Sequence, residues 1–268
     1  IEAVFARYGR SLLILGEPGS GKTVMLLKLA SHLLVQARQD VRVPIPVVFN
    51  LSSWAKKSQP LNRWLVDELN EKYLIPKAMG QAWIEANQLL LLLDGLDEVI
   101  SSKQADCVRA INDFRQGYGL IPMALCCRIQ AYQAIDLPVK LNSAVLLKPL
   151  TVDQTDSYLD GIGEQVTGLH AVIREDTMLQ EIVRSPLMLQ VMSRAFRQED
   201  SSASLRAETL AAPDARRKEV LLDTIFHNYV QQMVRELAAI SPFHWQQARS
   251  WLVWLAQKMS EQGQTVFL

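Results

Sequence analysis

Apolar positions follow two rhythms along this chain, and the change from one to the other divides it near residue 150. In the first part, short runs rich in Val, Ile and Leu alternate with longer amphipathic stretches. Residues 11–15, 45–51, 89–94, 123–128 and 144–147 read as brief strands. Between them, residues 24–39 read as a helix. Leu61, Trp64, Leu65 and Leu69 recur at helical spacing on the next, and Cys107 and Ile111 mark another after the third strand. Strands that are apolar throughout and separated by helices predict a mainly parallel five-stranded sheet with helices on both faces.

After Pro149 the strand pattern stops. Thr151 followed by Gln154 is a capping-box signature, which predicts a helix running to about residue 159. Ser185-Pro186 ahead of Leu187-Met188-Leu189 predicts another, with proline at the first helical position. The stretch 197–213 reads as a mobile loop. Phe226, Tyr229, Val230, Met233 and Leu237 outline one further amphipathic helix, and Trp245, Ala248, Trp251, Leu252 and Met259 a second. The expected organisation is therefore an α/β domain over 1–150 and a smaller all-helical domain over 151–268.

Composition narrows the function classes. With 49% hydrophobic residues the chain can bury a sizeable core. Its 28 basic and 28 acidic residues cancel, so no overall field attracts nucleic acid or an anionic membrane surface. Three cysteines without a CxxC pair indicate neither a disulfide framework nor a zinc site, and a cytoplasmic setting fits them. The longest apolar runs fall well short of the roughly 18 to 20 residues that span a bilayer. The first residue is Ile, and the chain reads as a piece of something longer.

The chemistry begins at the end of the first strand. Gly16, Glu17, Pro18, Gly19, Ser20, Gly21, Lys22 and Thr23, followed by Val24 at the start of a helix, form a P-loop in the strand–loop–helix context it requires. Glycines let consecutive N–H groups turn inward toward phosphates, and the helix start adds its positive end. Lys22 is expected to reach the β- and γ-phosphates of a nucleoside triphosphate, and the Thr23 hydroxyl to ligate Mg²⁺. The third strand, Leu89-Leu90-Leu91-Leu92-Leu93-Asp94, delivers a carboxylate to its C-terminal end, where open α/β sheets bind ligands. Asp94 is expected to serve the same Mg²⁺. Asp97 and Glu98 follow, placed to orient or deprotonate the attacking water, with Glu98 the favoured of the two. A GTPase is disfavoured, because the position that would hold the glycine of Asp-x-x-Gly is Asp97 and no Asn-Lys-x-Asp occurs. Adenine is the better fit. Arg128 ends the fourth strand, where its guanidinium can sense the γ-phosphate or instead form a salt bridge at the sheet edge. Cys126 and Cys127 are expected to point to opposite faces of that strand, into the core.

Taken together these residues resemble the NACHT group of STAND nucleoside triphosphatases, of the bacterial type. The resemblance rests on the P-loop with Glu17-Pro18, Val48-Phe49-Asn50-Leu51-Ser52-Ser53-Trp54, Asp94-Gly95-Leu96-Asp97-Glu98-Val99, Cys126-Cys127-Arg128, Leu147-Lys148-Pro149-Leu150-Thr151 and Ser185-Pro186-Leu187-Met188-Leu189. It implies an AAA+-like P-loop fold and a signalling switch: ADP is held at rest, ATP replaces it when a C-terminal sensor meets its trigger, and the protein oligomerises to activate an N-terminal effector, in bacteria often against phage. It also implies that Pro186 packs near adenine. Arg184 stands where the proline motif often begins with Gly, and the histidine of the family's winged-helix domain is expected beyond Leu268. Other readings of the same residues are an AAA+ mechanical ATPase, a small-molecule kinase and a nucleotide-binding scaffold without turnover.

Overall fold

The computed structural model describes residues 1–197, 205, 216–238 and 245–261, which fall into two compact units, Ile1–Leu147 and Lys148–Leu268.

The first unit is built on five strands: β1 (Ser11–Gly16), β2 (Ile45–Asn50), β3 (Leu89–Asp94), β4 (Met123–Arg128) and β5 (Ser143–Leu147). They lie in the order β2-β3-β4-β1-β5, and every pairing is parallel. The run of leucines in β3 follows from its place in that order. With a strand on either side and helices over both faces, all five are fully buried. The β2 strand lies at one edge and alternates instead, burying Val47 and Phe49. The Tyr73 hydroxyl donates to Val48 O at 2.6 Å, closing part of that edge to another strand.

Helices α1 (Glu2–Arg7) and α2 (Lys22–Gln39) cover one face, where Leu26, Leu29 and Leu33 meet Leu12, Ile14, Leu90 and Leu92. On the other face α4 (Leu61–Tyr73) and α6 (Ser101–Gly117) bring Trp64, Leu65, Val108 and Ile111 against Leu91, Leu93 and Leu125. The short helices α3 (Trp54–Lys57), α5 (Lys77–Glu85) and α7 (Ile129–Gln133) complete the unit. Cys126 belongs to the first core and Cys127 to the second, on opposite faces as expected. Burial pushes the Cys107 and Cys127 thiols up to about 12, so they behave as small apolar side chains.

Register aligns the functional strand ends. Gly16 stands opposite Arg128, and Asn50 opposite Asp94. The P-loop, the acidic residue and the arginine thus emerge along one C-terminal edge of the sheet. The expected second strand is one residue too long: Leu51 leaves the sheet and opens a 3₁₀ turn, because Asn50 Oδ1 accepts the Ser52 N–H at 2.8 Å and turns the chain.

In the second unit, α8 (Val152–Ile162) starts at the capping box: Thr151 Oγ1 accepts from the Gln154 N–H and Gln154 Oε1 from the Thr151 N–H. Next come α9 (Thr167–Glu175), α10 (Thr177–Val183) and α11 (Pro186–Ala195), whose first residue is the expected proline. The α11 helix packs on α12 (Arg217–Ala238) through Leu189 and Met192 against Leu221 and Ile225. The last helix, α13 (Trp245–Glu261), carries Trp251, Leu252 and Trp254 exposed. The expected loop at 197–213 lies outside the described residues apart from Arg197 and Leu205.

Candidate nucleotide site

The loop after β1 turns through left-handed backbone at Gly19 and Gly21. Gly21, at φ +87°, is the residue before α2, and a side chain there would be strained. The first helical bond runs from the Met25 N–H to Gly21 O. Helix geometry therefore leaves the N–H groups of Lys22, Thr23 and Val24 without an intrahelical acceptor, facing the loop. The Lys22 ammonium donates to Gly16 O at 3.0 Å and Glu17 O at 2.9 Å, lying across the loop where phosphate oxygens would compete for it. Ser20 Oγ is buried with no hydrogen-bond partner, and such an atom in a phosphate loop fits an anion that accepts from it.

Thr23 Oγ1 donates to Asp94 Oδ2 at 2.8 Å, joining the helix start to the end of β3. Burial is the largest influence on Asp94 and pushes its carboxyl above the ordinary carboxylate range; the Thr23 hydrogen bond opposes this and the nearby Asp97 charge reinforces it. A carboxylate so desolvated favours a cation beside it. Hydroxyl and carboxylate oxygens are the donors Mg²⁺ prefers, so these two residues fit the ion that a P-loop implies. Among the described residues no group of three or more His, Cys, Asp and Glu could hold a metal without such help.

The segment after Asp94 turns at Gly95, φ +75°, into a 3₁₀ turn over Leu96–Glu98. The left-handed backbone favours glycine there, and a Cβ on Gly95 would stand 2.8 Å from Glu98 Oε2, so it would displace the Glu98 carboxylate. Asp97 and Glu98 take different partners. Asp97 is 8% exposed at its side chain and committed to Arg128, with Oδ2 2.7 Å from the guanidinium Nε and Oδ1 accepting the Arg128 N–H at 3.0 Å. The Arg128 guanidinium is thus held in a salt bridge with Asp97 beside the P-loop strand. Glu98 reaches the other way, accepting from Asn50 Nδ2 at 3.1 Å. Because Asn50 Oδ1 is fixed by the Ser52 N–H, its amide is oriented with the donor toward Glu98.

Sequence reasoning placed Asn50 in the family motif but gave it no role. The available signal was a polar side chain ending an otherwise apolar strand. Beside these groups opens a cavity of about 480 Å³, whose lining includes Glu17, Pro18, Asp97, Gln104, Arg128 and Asp136. Pro186 lies in the other unit, at the head of α11.

The family model for the NACHT domain matches residues 10–159, more than half of the chain. The chain belongs to the NACHT family. The matched span includes the P-loop, Asn50, the acidic turn and Arg128, and membership makes this a P-loop NTPase module that binds nucleotide. Comparison with curated proteins returns no match. Among solved structures the NACHT domain and its helical extension are similar to Drosophila ORC bound to DNA (13% identity, 97% of this chain and 77% of that one, TM-score 0.46). A variant of Thermotoga maritima RuvB is similar at 13% identity over 97% of this chain and 81% of that one, TM-score 0.41. C. elegans PCH-2 is similar at 13% identity over 82% of this chain, TM-score 0.39; the matched part is 62% of PCH-2, less than two thirds of its length. No helix among the described residues is long and apolar enough to cross a membrane.

Proposed function

We propose that this NACHT domain is a slow, Mg²⁺-dependent ATPase that sets the state of a bacterial NLR-like signalling protein of the STAND class. Exchange of ADP for ATP controls self-association and the activation of an effector, in defence against phage. In this reading the effector precedes the NACHT domain, the sensor follows it, and the protein works in the cytoplasm. The observation that carries the reading is the Thr23–Asp94 hydrogen bond at 2.8 Å, next to a loop whose lysine is poised over its own carbonyls.

The residues divide the work. The loop N–H groups, Lys22 and Ser20 bind and orient the triphosphate. Thr23 and Asp94 would hold Mg²⁺, which would supply neutralisation of the phosphate charge. Glu98, held at the end of the Asn50 amide, takes a proton from the attacking water at its carboxylate. Asp97 keeps Arg128 at the mouth of the site, where the guanidinium stays within reach of a γ-phosphate. Replacing γ-phosphate by nothing removes a partner from Lys22 and Arg128 alike, which is the difference in contacts a two-state switch needs. Adenine is favoured because the chain lacks the Asn-Lys-x-Asp that recognises guanine.

Glu98→Gln tests the reading. Turnover of ATP, followed by phosphate release, is expected to fall on the order of 10²- to 10⁴-fold while bound ATP is retained. Light scattering of the full-length variant is then expected to show larger particles with ATP than with ADP. If Asp97→Asn alone gives that phenotype, the base is misassigned; a monomer with either nucleotide contradicts the switch.

A further inference from the structure

A second amide supports the acidic turn, from below. Gln104 stands in the first turn of α6 and is only 7% exposed. A buried primary amide must place two N–H donors, and both find main-chain carbonyls. Gln104 Nε2 donates to Val99 O at 3.0 Å and, at longer range, to Asp97 O at 3.4 Å. Those carbonyls lie on either side of Glu98 in the chain.

A three-residue 3₁₀ turn cannot serve them itself. Gly95 O receives the Glu98 N–H and Leu96 O the Val99 N–H, which leaves the carbonyls of residues 97 and 99 to outside donors. The helix that supplies Gln104 is itself anchored. Lys103 Nζ donates to Ala55 O at 2.7 Å and Ser58 Oγ at 3.0 Å, fastening the same turn of α6 to the end of α3. Asn50 thus holds the Glu98 carboxylate, and Gln104 holds the backbone that aims it.

We propose that Gln104 is a positioning residue for ATP hydrolysis, acting through Glu98: its amide brackets the peptide units around Glu98 and fixes the direction of that carboxylate. This rests on the ATPase reading above. Gln104 also lines the cavity shared by Glu17, Pro18, Asp97 and Arg128, but it makes no hydrogen bond to the P-loop or to the Thr23–Asp94 pair, so its loss removes none of the hydrogen bonds that order those groups. A glutamine that only filled the core would affect folding as a whole and turnover little.

The test uses Gln104→Met, which keeps length and volume and removes both donors, with Gln104→Glu as a second variant that replaces the donors by acceptors. In the nucleotide-free protein, amide hydrogen exchange at Glu98 and Val99 is expected to quicken by roughly tenfold or more while the strands of the sheet keep their protection. In steady state, kcat is expected to fall on the order of 10²-fold with KM for ATP within about threefold of the unaltered protein. Exchange at Glu98 and Val99 that stays unchanged, or that quickens equally throughout the first unit, overturns the proposal. So does a KM that rises while kcat holds. If the unaltered protein shows no turnover while the local exchange responds, hydrolysis is the claim that falls and the bracket stands.

Discussion

Asp94 is where a single residue has most to say about conditions. Burial raises its pKa in the folded chain above the unfolded value, so the folded state binds this proton more readily than the unfolded one. Its contribution to stability is then fully present below the ordinary carboxylate range and is lost as pH rises through the raised value. Thermal midpoints of the nucleotide-free protein, measured across that window, should fall with rising pH from this source, and Asp94→Asn should flatten the slope and raise the midpoint near neutrality by a few degrees. The same substitution should remove the extra stabilisation that Mg²⁺ adds to ATP. A variant less stable than the parent at neutral pH would contradict the assignment of Asp94 as a desolvated, cation-seeking group. At this scale the sequence was informative about identity and silent about partnership. Lys22, Thr23 and Asp94 could be named from spacing and strand context, because a P-loop is read by local chemistry. That Asp97 belongs to Arg128 and Glu98 to Asn50 depends on strand order, which brings together residues 31 and 48 apart, and no local pattern encodes it.

Elements were legible where one local rule dominated. The leucines of β3 announce a strand buried on both faces, and Thr151-x-x-Gln154 announces a helix start that the structure reproduces atom for atom. Thr151→Ala should therefore destabilise the second unit by about 1 kcal/mol, visible as an earlier unfolding transition; an unchanged midpoint would mean that tertiary packing alone sets that helix end. Element ends were less legible. The second strand stops at Asn50 and not at the apolar Leu51, since a side chain–backbone bond wins over hydrophobicity there. The amphipathic pattern likewise placed α6 without revealing Gln104, because a polar residue on a helix is normally solvated and only the packing of the acidic turn over it shows otherwise.

For the whole molecule, the two rhythms of the sequence correspond to two compact units, one a parallel sheet sandwiched by helices and one helical. Parallel topology gathers residues from the ends of four strands, β1 to β4, along one edge, and this is why a site spread from Gly16 to Arg128 closes into a few ångströms. Switching, assembly and effector control are claims about a longer protein, and all of them presuppose that this edge binds a triphosphate. Isothermal titration of ATP with Mg²⁺ into the purified protein and into Lys22→Ala tests that most directly. Saturable one-to-one binding by the parent and none by the variant is the predicted result; equal affinity in both would contradict the site.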